Sequence, residues 1–583
     1  MPKKKAKAPS QTPKANPPKT AAPQKTPPAQ SAPASAGPNV KAARKQQRIE
    51  SAALETRGKA LALCGEAYVL AMIAVFPLYL SKEKYFGLVQ HKADFLWVVT
   101  LIFAAALALV ALAFLGVAKN TGKTSWKKLL YAADIAVLSY IACLFLSCVF
   151  SPLTAEQLGT SRFDFFLWGN ADPGNPRLEG MVTRLCYLTA YFAASRLFRP
   201  KERDWAIFAA SATVLALIGY FQFIGNDIFD LFPYEHMNMT HDYAWLDIIF
   251  RTTLGNVDVL SAYVGIAVPF FLVLYCKGKT KLRFLYLGAV ITNFMLMVLS
   301  GADGGILAVV ASGAAILVLT VTDRGSMTRL PFALGLSGLS CCLFVSAAFD
   351  ARDQYALTGE LRSLSWSGVA SSPWLFAGLA LLAVSAAVKF IPFIPFNPKR
   401  YRLAGLAAAG LIIVGGVAGL EAVGSRIENS NNVIYQARQA LHGNLHDSFG
   451  SGRGMLWKRT LPAIAENPVF GTGPDTFEYA YASFQRESAE ITRSKFDKAH
   501  NDVLEIAACS GLLGLAAYLA LIVCAALKAI PRLQTSPWIL AASMAAFGFF
   551  VQSLFGVSVP LVTPLFFVML GAIVSMSREV DTA

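Results

Sequence analysis

Charge is what this chain has least of. Only 15% of its 583 residues are Asp, Glu, Lys or Arg, while 55% are apolar; an ordinary water-soluble domain has about a quarter charged. With a mean hydropathy of +0.48, nothing in it reads as a separate water-soluble core. The first 50 residues lack any aromatic side chain, and no acid precedes Glu50. A segment of Lys, Pro, Ala, Gln and Ser cannot bury enough apolar surface to order itself, so residues 1–50 are expected to form a disordered basic tail. That tail holds 11 of the 52 Lys and Arg residues and so most of the net charge of +16. The balance argues against a nucleic-acid partner and for a tail lying on anionic lipid head groups. No cleavage pattern of small residues follows, so no removable signal peptide is expected. None of the nine cysteines, from Cys64 to Cys524, falls in a polar loop, and neither a disulfide framework nor a thiolate metal cage is implied.

Long apolar runs are what the chain does have. A helix needs about 20 apolar residues to cross a bilayer, and such stretches are centred near Val69, Ala106, Ser139, Thr189, Leu215, Gly265, Phe294, Val310, Cys341, Leu381, Ile412, Ala516, Phe547 and Phe567. The expected fold is an all-α integral membrane protein of about fourteen transmembrane helices, eleven in residues 51–423 and three in 503–583. A long, partly helical loop, 424–502, precedes the twelfth. Lys and Arg fall on alternate loops, as at Lys119 to Lys128, Arg199 to Arg203, Lys277 to Arg283, Lys399 to Arg402 and Lys528 to Arg532. Because cytoplasmic loops are enriched in these residues, both termini are expected in the cytoplasm of a multi-pass plasma-membrane protein. The opposite loops, 151–179, 225–256, 350–371 and 424–502, are longer, and all six histidines fall on that side or at its boundary. A structureless loop of nearly 80 residues is improbable. Within 424–502, Met455 to Ala465 has helical spacing, Pro468 to Pro474 is a Gly/Pro turn and Phe477 to Phe484 suits a short helix. The segment therefore reads as an ordered extracytoplasmic cap.

His500, Asn501 and Asp502 end the cap directly before the apolar run Val503 to Leu527. A titratable imidazole where water meets a membrane-length helix suits chemistry on a lipid-borne substrate; the alternative is a boundary residue whose ring caps nearby carbonyls. Asn501 and Glu505 suit orienting the base or the cap. Arg453 either meets an anionic substrate or pairs with Glu466 or Asp475 to fix the cap. Glu66 and Asp134 lie nearer membrane depth, where a carboxylate is costly; with no motif around them they are expected to be neutralised or paired. His236, His241 and Asp242 share one loop, and His442 and His446 stand four apart in another. Gly443 and Asn444 argue against a helix there, and no His-Glu-x-x-His is present, so no metal is expected. The glycines at 450–454 and 471–473 follow no strand and include no P-loop lysine, so they read as tight turns.

In order along the chain stand Gly450-Ser-Gly-Arg453-Gly-Met-Leu-Trp457, Glu466-Asn-Pro-Val-Phe-Gly-Thr-Gly473, Phe477, His500-Asn501-Asp-Val-Leu-Glu505 and Gly511-Leu-Leu-Gly514. This block resembles the C-terminal part of the O-antigen ligase and polymerase superfamily. Arg177-Leu-Glu-Gly180 with Tyr187 is similar to an R-x-E-G stretch in Gram-positive members, and Arg251-Thr-Thr-Leu-Gly-Asn256-Val-Asp258 is similar to a stretch that opens a helix in these enzymes. The resemblance, over about residues 60 to 577, implies a polytopic glycosyltransferase. Its donor would be a glycan on a polyprenyl pyrophosphate and its acceptor a glycan or glycolipid hydroxyl, with inverting transfer and no metal or cofactor. It further implies His500 as general base and Arg251 as the arginine that engages pyrophosphate, a group guanidinium pairs with bidentately. Where ligases place a second arginine, this chain reads Ser300-Gly-Ala-Asp303-Gly-Gly305. An aspartate repels pyrophosphate, so Arg453, Arg177 or Arg184 is left to supply the second positive charge, with Asn501 beside them as a further substrate contact. A flippase for the same lipid-linked sugars is the rival class. Transporters, however, place their polar groups near the membrane midplane and show internal repeats, and neither feature is evident here.

Overall fold

A computed structural model of the chain describes residues 38–85, 87–115, 130–171, 176–223, 228–229, 231, 252–320, 323–345, 373–390, 398–429, 432–481 and 496–582. Residues 1–55 and 56–583 form two separate units. In chain order the α-helices are α1 (Pro38–Leu70), α2 (Leu88–Ala113), α3 (Ala132–Val149), α4 (Ala155–Leu158), α5 (Arg162–Trp168), α6 (Met181–Phe192), α7 (Glu202–Phe223), α8 (Val257–Lys277), α9 (Arg283–Ser300) and α10 (Asp303–Thr320). They continue with α11 (Arg324–Ser340), α12 (Pro373–Phe390), α13 (Pro398–Gly424), α14 (Val433–Leu441), α15 (Phe449–Glu466), α16 (Phe477–Ala480), α17 (Asp502–Ala529), α18 (Pro537–Ser553) and α19 (Thr563–Thr582). The described residues contain no strand.

Each expected apolar centre lies in a helical segment, and ten helices among the described residues are long and apolar enough to cross a membrane. Three shorter apolar helices, Leu375–Phe390, Pro537–Ser553 and Thr563–Arg578, accompany them. Leu101, Ile102, Leu109 and Leu112 of α2 face outward, as lipid-facing residues do. The protein is a multi-pass membrane protein. One boundary differs from expectation: helix begins at Pro38, inside the segment expected to be disordered. The cause is local, since Ala42 to Glu50, apart from Ile49, is built of Ala, Arg, Lys, Gln and Glu, all strong helix formers.

Helix α8 is the axis of the bundle: every residue from Val259 to Cys276 is buried. A helix apolar on all sides has no lipid or water face to present and must be surrounded by its neighbours. Its contact with α18 is so close that a Cβ on Gly548 would run into the Gly265 carbonyl; small residues let helix backbones meet where lipid gives no hydrophobic drive. The two carboxylates expected to be paired are paired. Glu66 meets Lys201 and Arg203, and Asp134 meets Arg196 and the Tyr191 hydroxyl.

The segment before α17 carries α14, α15 and α16. Helix α15 covers the stretch read as helical, α16 forms the first part of Phe477 to Phe484 and ends at Ala480, with 482–484 outside the described residues, and α14 is a helix the sequence reading does not include. The turn at 468–473 locks onto α17. Thr472 and Gly473 donate their N–H groups to the carbonyls of Ala508 and Cys509, and Leu512 donates to the Pro468 carbonyl. These bonds replace helical ones, and α17 breaks at Gly511, where φ is +69°. An insertion into the hydrogen-bond ladder is a recognised cause of such kinks.

Candidate functional site

Backbone strain marks the site before any side chain is considered. Among the described residues six non-glycine positions have positive φ, and five of them, Leu178, Thr252, Ser451, Asp475 and His500, belong to or adjoin the motif segments. Such conformations cost of order 1–3 kcal/mol each and persist only where the surroundings enforce them, typically at active sites. His500, at φ +47°, is enforced from both sides. The Ala499 N–H donates to Glu505 Oε2 at 2.7 Å, and the Ala499 carbonyl accepts from Trp457 Nε1 at 3.1 Å. On the other flank Asn501 caps α17, its side-chain oxygen accepting from the Leu504 N–H at 3.1 Å. Asp502 accepts from the backbone and hydroxyl of Ser558.

Beneath this turn lies a buried ionic post. Lys498 Nζ sits 2.7 Å from Asp475 Oδ1 and 3.3 Å from Glu505 Oε1, with both Lys498 and Asp475 almost wholly buried. The second Asp475 oxygen accepts from the backbone N–H groups of Asn170 and Glu179 at 2.7 and 3.0 Å. One carboxylate thereby ties the 151–179 loop to the segment that carries His500.

The His500 ring is a quarter exposed, with Nδ1 3.9 Å from Asp258 Oδ2. The same Asp258 oxygen is 3.3 Å from Arg453 Nη2. Asp258 stands in the first turn of α8, whose N-cap Asn256 accepts from the Asp258 N–H. Arg453 follows the left-handed run of Gly450, Ser451 and Gly452 at the start of α15. Burial, and next the Arg453 guanidinium, pushes the His500 pKa below the ordinary imidazole value, outweighing the carboxylates of Asp258 and Asp497. Burial and the neighbouring guanidinium thus both favour the neutral form of the imidazole.

Residues 364–519 match the O-antigen ligase family. The chain carries an O-antigen ligase domain. No curated protein matches the chain. The matched stretch includes Arg453, His500 and Asn501, while Asp258, Arg177 and Arg184 reach the ligase domain from earlier in the sequence.

The expected site residues are distributed unevenly around it. Arg453 and His500 come together on Asp258; Arg453 does not take Glu466 or Asp475 as its ion-pair partner, because Asp258 is the carboxylate within reach. Arg177 forms an ion pair with Asp497, three residues before His500. Burial disfavours the charges of both, yet each holds the other ionised: the Asp497 pKa lies below its usual range and that of Arg177 above. Arg184 is engaged with the buried Glu179, which also accepts from the Tyr187 hydroxyl. Arg251, His236, His241 and Asp242 lie outside the described residues. Asp303 is exposed at the start of α10, next to Gly304, which packs on Gln552; Gln552 in turn donates to the Asp258 carbonyl. His442 contacts Glu421, and His446 contacts Ser448. Among the described residues no group of three or more His, Cys, Asp or Glu is placed to hold a metal ion.

Sequence reasoning passed over Asp258, Asp497 and Lys498 as site residues. Asp258 stood inside a quoted motif and was the one carboxylate there, which was a usable signal. Lys498 had none, since its partners Asp475 and Glu505 come from 23 residues upstream and from the next helix.

Proposed function

We propose that this O-antigen ligase-like glycosyltransferase moves a glycan from a polyprenyl pyrophosphate carrier to an acceptor hydroxyl on the extracytoplasmic face. The acceptor oxygen attacks the anomeric carbon, the bond from that carbon to the pyrophosphate oxygen breaks, and the hydroxyl proton passes to His500 Nε2. Arg453 and Arg251 balance the charge that builds on the departing pyrophosphate, a role that always-charged, bidentate guanidinium groups fill well. Of the three arginines weighed for the second cation, Arg453 makes the longest ion pair, at 3.3 Å, whereas Arg177 and Arg184 are held closely by Asp497 and Glu179. Arg453 is therefore the one most easily drawn to a substrate. Asn501 serves by capping α17 and fixing the His500 backbone.

The observation that carries this reading is the strained imidazole, kept neutral within the ligase domain, sharing Asp258 with Arg453. A neutral imidazole is poised to accept a proton near pH 7. The test is wild-type protein in lipid vesicles supplied with polyprenyl-pyrophosphate glycans and candidate acceptors. Glycan found on the acceptor supports the proposal. Movement of the carrier across the bilayer with no transfer for any pair would replace it with the flippase reading.

A further inference from the structure

One Asp258 oxygen faces two partners at once. Oδ2 is 3.3 Å from Arg453 Nη2 and 3.9 Å from His500 Nδ1. The first is a long charge-assisted contact and the second is about 0.7 Å beyond hydrogen-bond range. His500 Nδ1 is buried and makes no hydrogen bond, which is costly for a polar atom cut off from water. The Asp258 main chain is fixed at both ends, its N–H on Asn256 Oδ1 at 2.7 Å and its carbonyl on Gln552 Nε2 at 3.0 Å. Only its side chain is free to choose between the two.

We propose that Asp258 is a donor-sensitive positioning residue: Arg453 holds it while the donor site is empty, and a pyrophosphate that takes Arg453 releases it to accept a hydrogen bond from His500 Nδ1–H. The inference rests on the reading of Arg453 and His500 given above. Its chemical consequence is directional. A carboxylate on Nδ1–H fixes the tautomer whose Nε2 lone pair is free, and it stabilises the imidazolium that forms when the base takes its proton. The charged groups facing the ring are Arg453, Asp258, Asp497 and Arg177. Neutralising Arg453 with an anion while drawing Asp258 closer moves two of these four in the same sense, toward a stronger base. The base is thus weak without donor and strengthened when the donor is seated, which protects the carrier site from idle proton chemistry.

The experiment is histidine-selective 15N NMR on the full-length protein in nanodiscs, with the His500 signal assigned by its loss in His500→Gln and inorganic pyrophosphate as the probe. Wild type is expected to shift to the Nδ1-protonated tautomer on adding pyrophosphate, with proton affinity rising about tenfold. Asp258→Asn keeps the shape and loses the charge, and is expected to show neither change. Arg453→Ala frees Asp258 without any ligand and is expected to show the Nδ1–H tautomer from the start. In turnover, Asp258→Asn lowers kcat by about tenfold or more without raising the donor KM, and Asp258→Glu restores part of it; a merely structural residue would raise KM and lower thermal stability instead. Pyrophosphate that binds while the wild-type His500 signal stays unchanged overturns the inference alone. Pyrophosphate that does not bind at all removes both the inference and the assignment of Arg453 beneath it.

Discussion

Replacing Lys498 by Met is expected to release the His500 turn while leaving the bundle folded. The lysine is almost wholly buried, 2.7 Å from Asp475 and 3.3 Å from Glu505, and Met keeps its unbranched stem, without the terminal ammonium and its charge. Removing one partner of a buried ionic group costs about 3–5 kcal/mol because the remaining charge is stranded. Here the lower end applies, since Asp475 keeps two backbone N–H donors and Glu505 keeps that of Ala499. About 3 kcal/mol is roughly a 150-fold gain in local opening, at 1.36 kcal/mol per factor of ten. Hydrogen exchange at the Ala499 amide in nanodiscs reads this directly, since that amide is bonded to Glu505. The control is Arg438→Ala, which breaks a part-exposed pair with Glu421. Solvent screens an exposed pair, so that change should be small and confined to α13 and α14, which carry Glu421 and Arg438. Exchange at Ala499 that accelerates no more in Lys498→Met than in Arg438→Ala would refute the ionic post as the support of the site.

Gly511→Ala is expected to cost at least about 2 kcal/mol, because Ala is strained at positive φ and its Cβ would meet the Val469 carbonyl. Gly313→Ala, with open space around the Cβ, should be neutral or stabilising in the same thermal unfolding series in detergent. Since burial and Arg453 hold the His500 pKa below its usual 6.5, the imidazole stays neutral to lower pH than a free one. The acid limb of kcat/KM, which reports the free enzyme, should therefore fall below pH 6.5 and move up in Arg453→Gln; a wild-type limb above about pH 7 would contradict the assignment. Arg177→Ala strands the half-buried Asp497 and should lose stability that Arg177→Ala with Asp497→Asn largely regains. A folded double variant whose donor KM rises, where Asp497→Asn alone leaves it unchanged, would show that Arg177 also touches substrate.

The helices were legible in the sequence because each apolar run needs no partner to declare itself: bilayer thickness sets the length, and the composition reveals it. The sequence also singled out His500 and Arg453, by their resemblance to a family block and by the position of His500 at the edge of an apolar run, and the structure brings both to Asp258. What the sequence hid is everything that depends on where separate segments meet. Lys498 is one more cation in a polar stretch until Asp475 and Glu505 are brought around it. Arg453 had two nearby acids to choose from, and took Asp258, 195 residues away. The break at Gly511 is likewise invisible locally, since it arises only because the 468–473 turn takes the carbonyls of Ala508 and Cys509.

The most direct test of the central claim compares wild type and His500→Ala in lipid, measuring donor binding and glycan transfer on the same preparations. His500 touches no group that holds the fold together, so the variant should remain folded and bind the polyprenyl-pyrophosphate donor with wild-type affinity. Transfer should fall by about 100-fold or more, as loss of a general base commonly entails. Transfer retained within a few-fold of wild type by a folded His500→Ala protein would contradict the account.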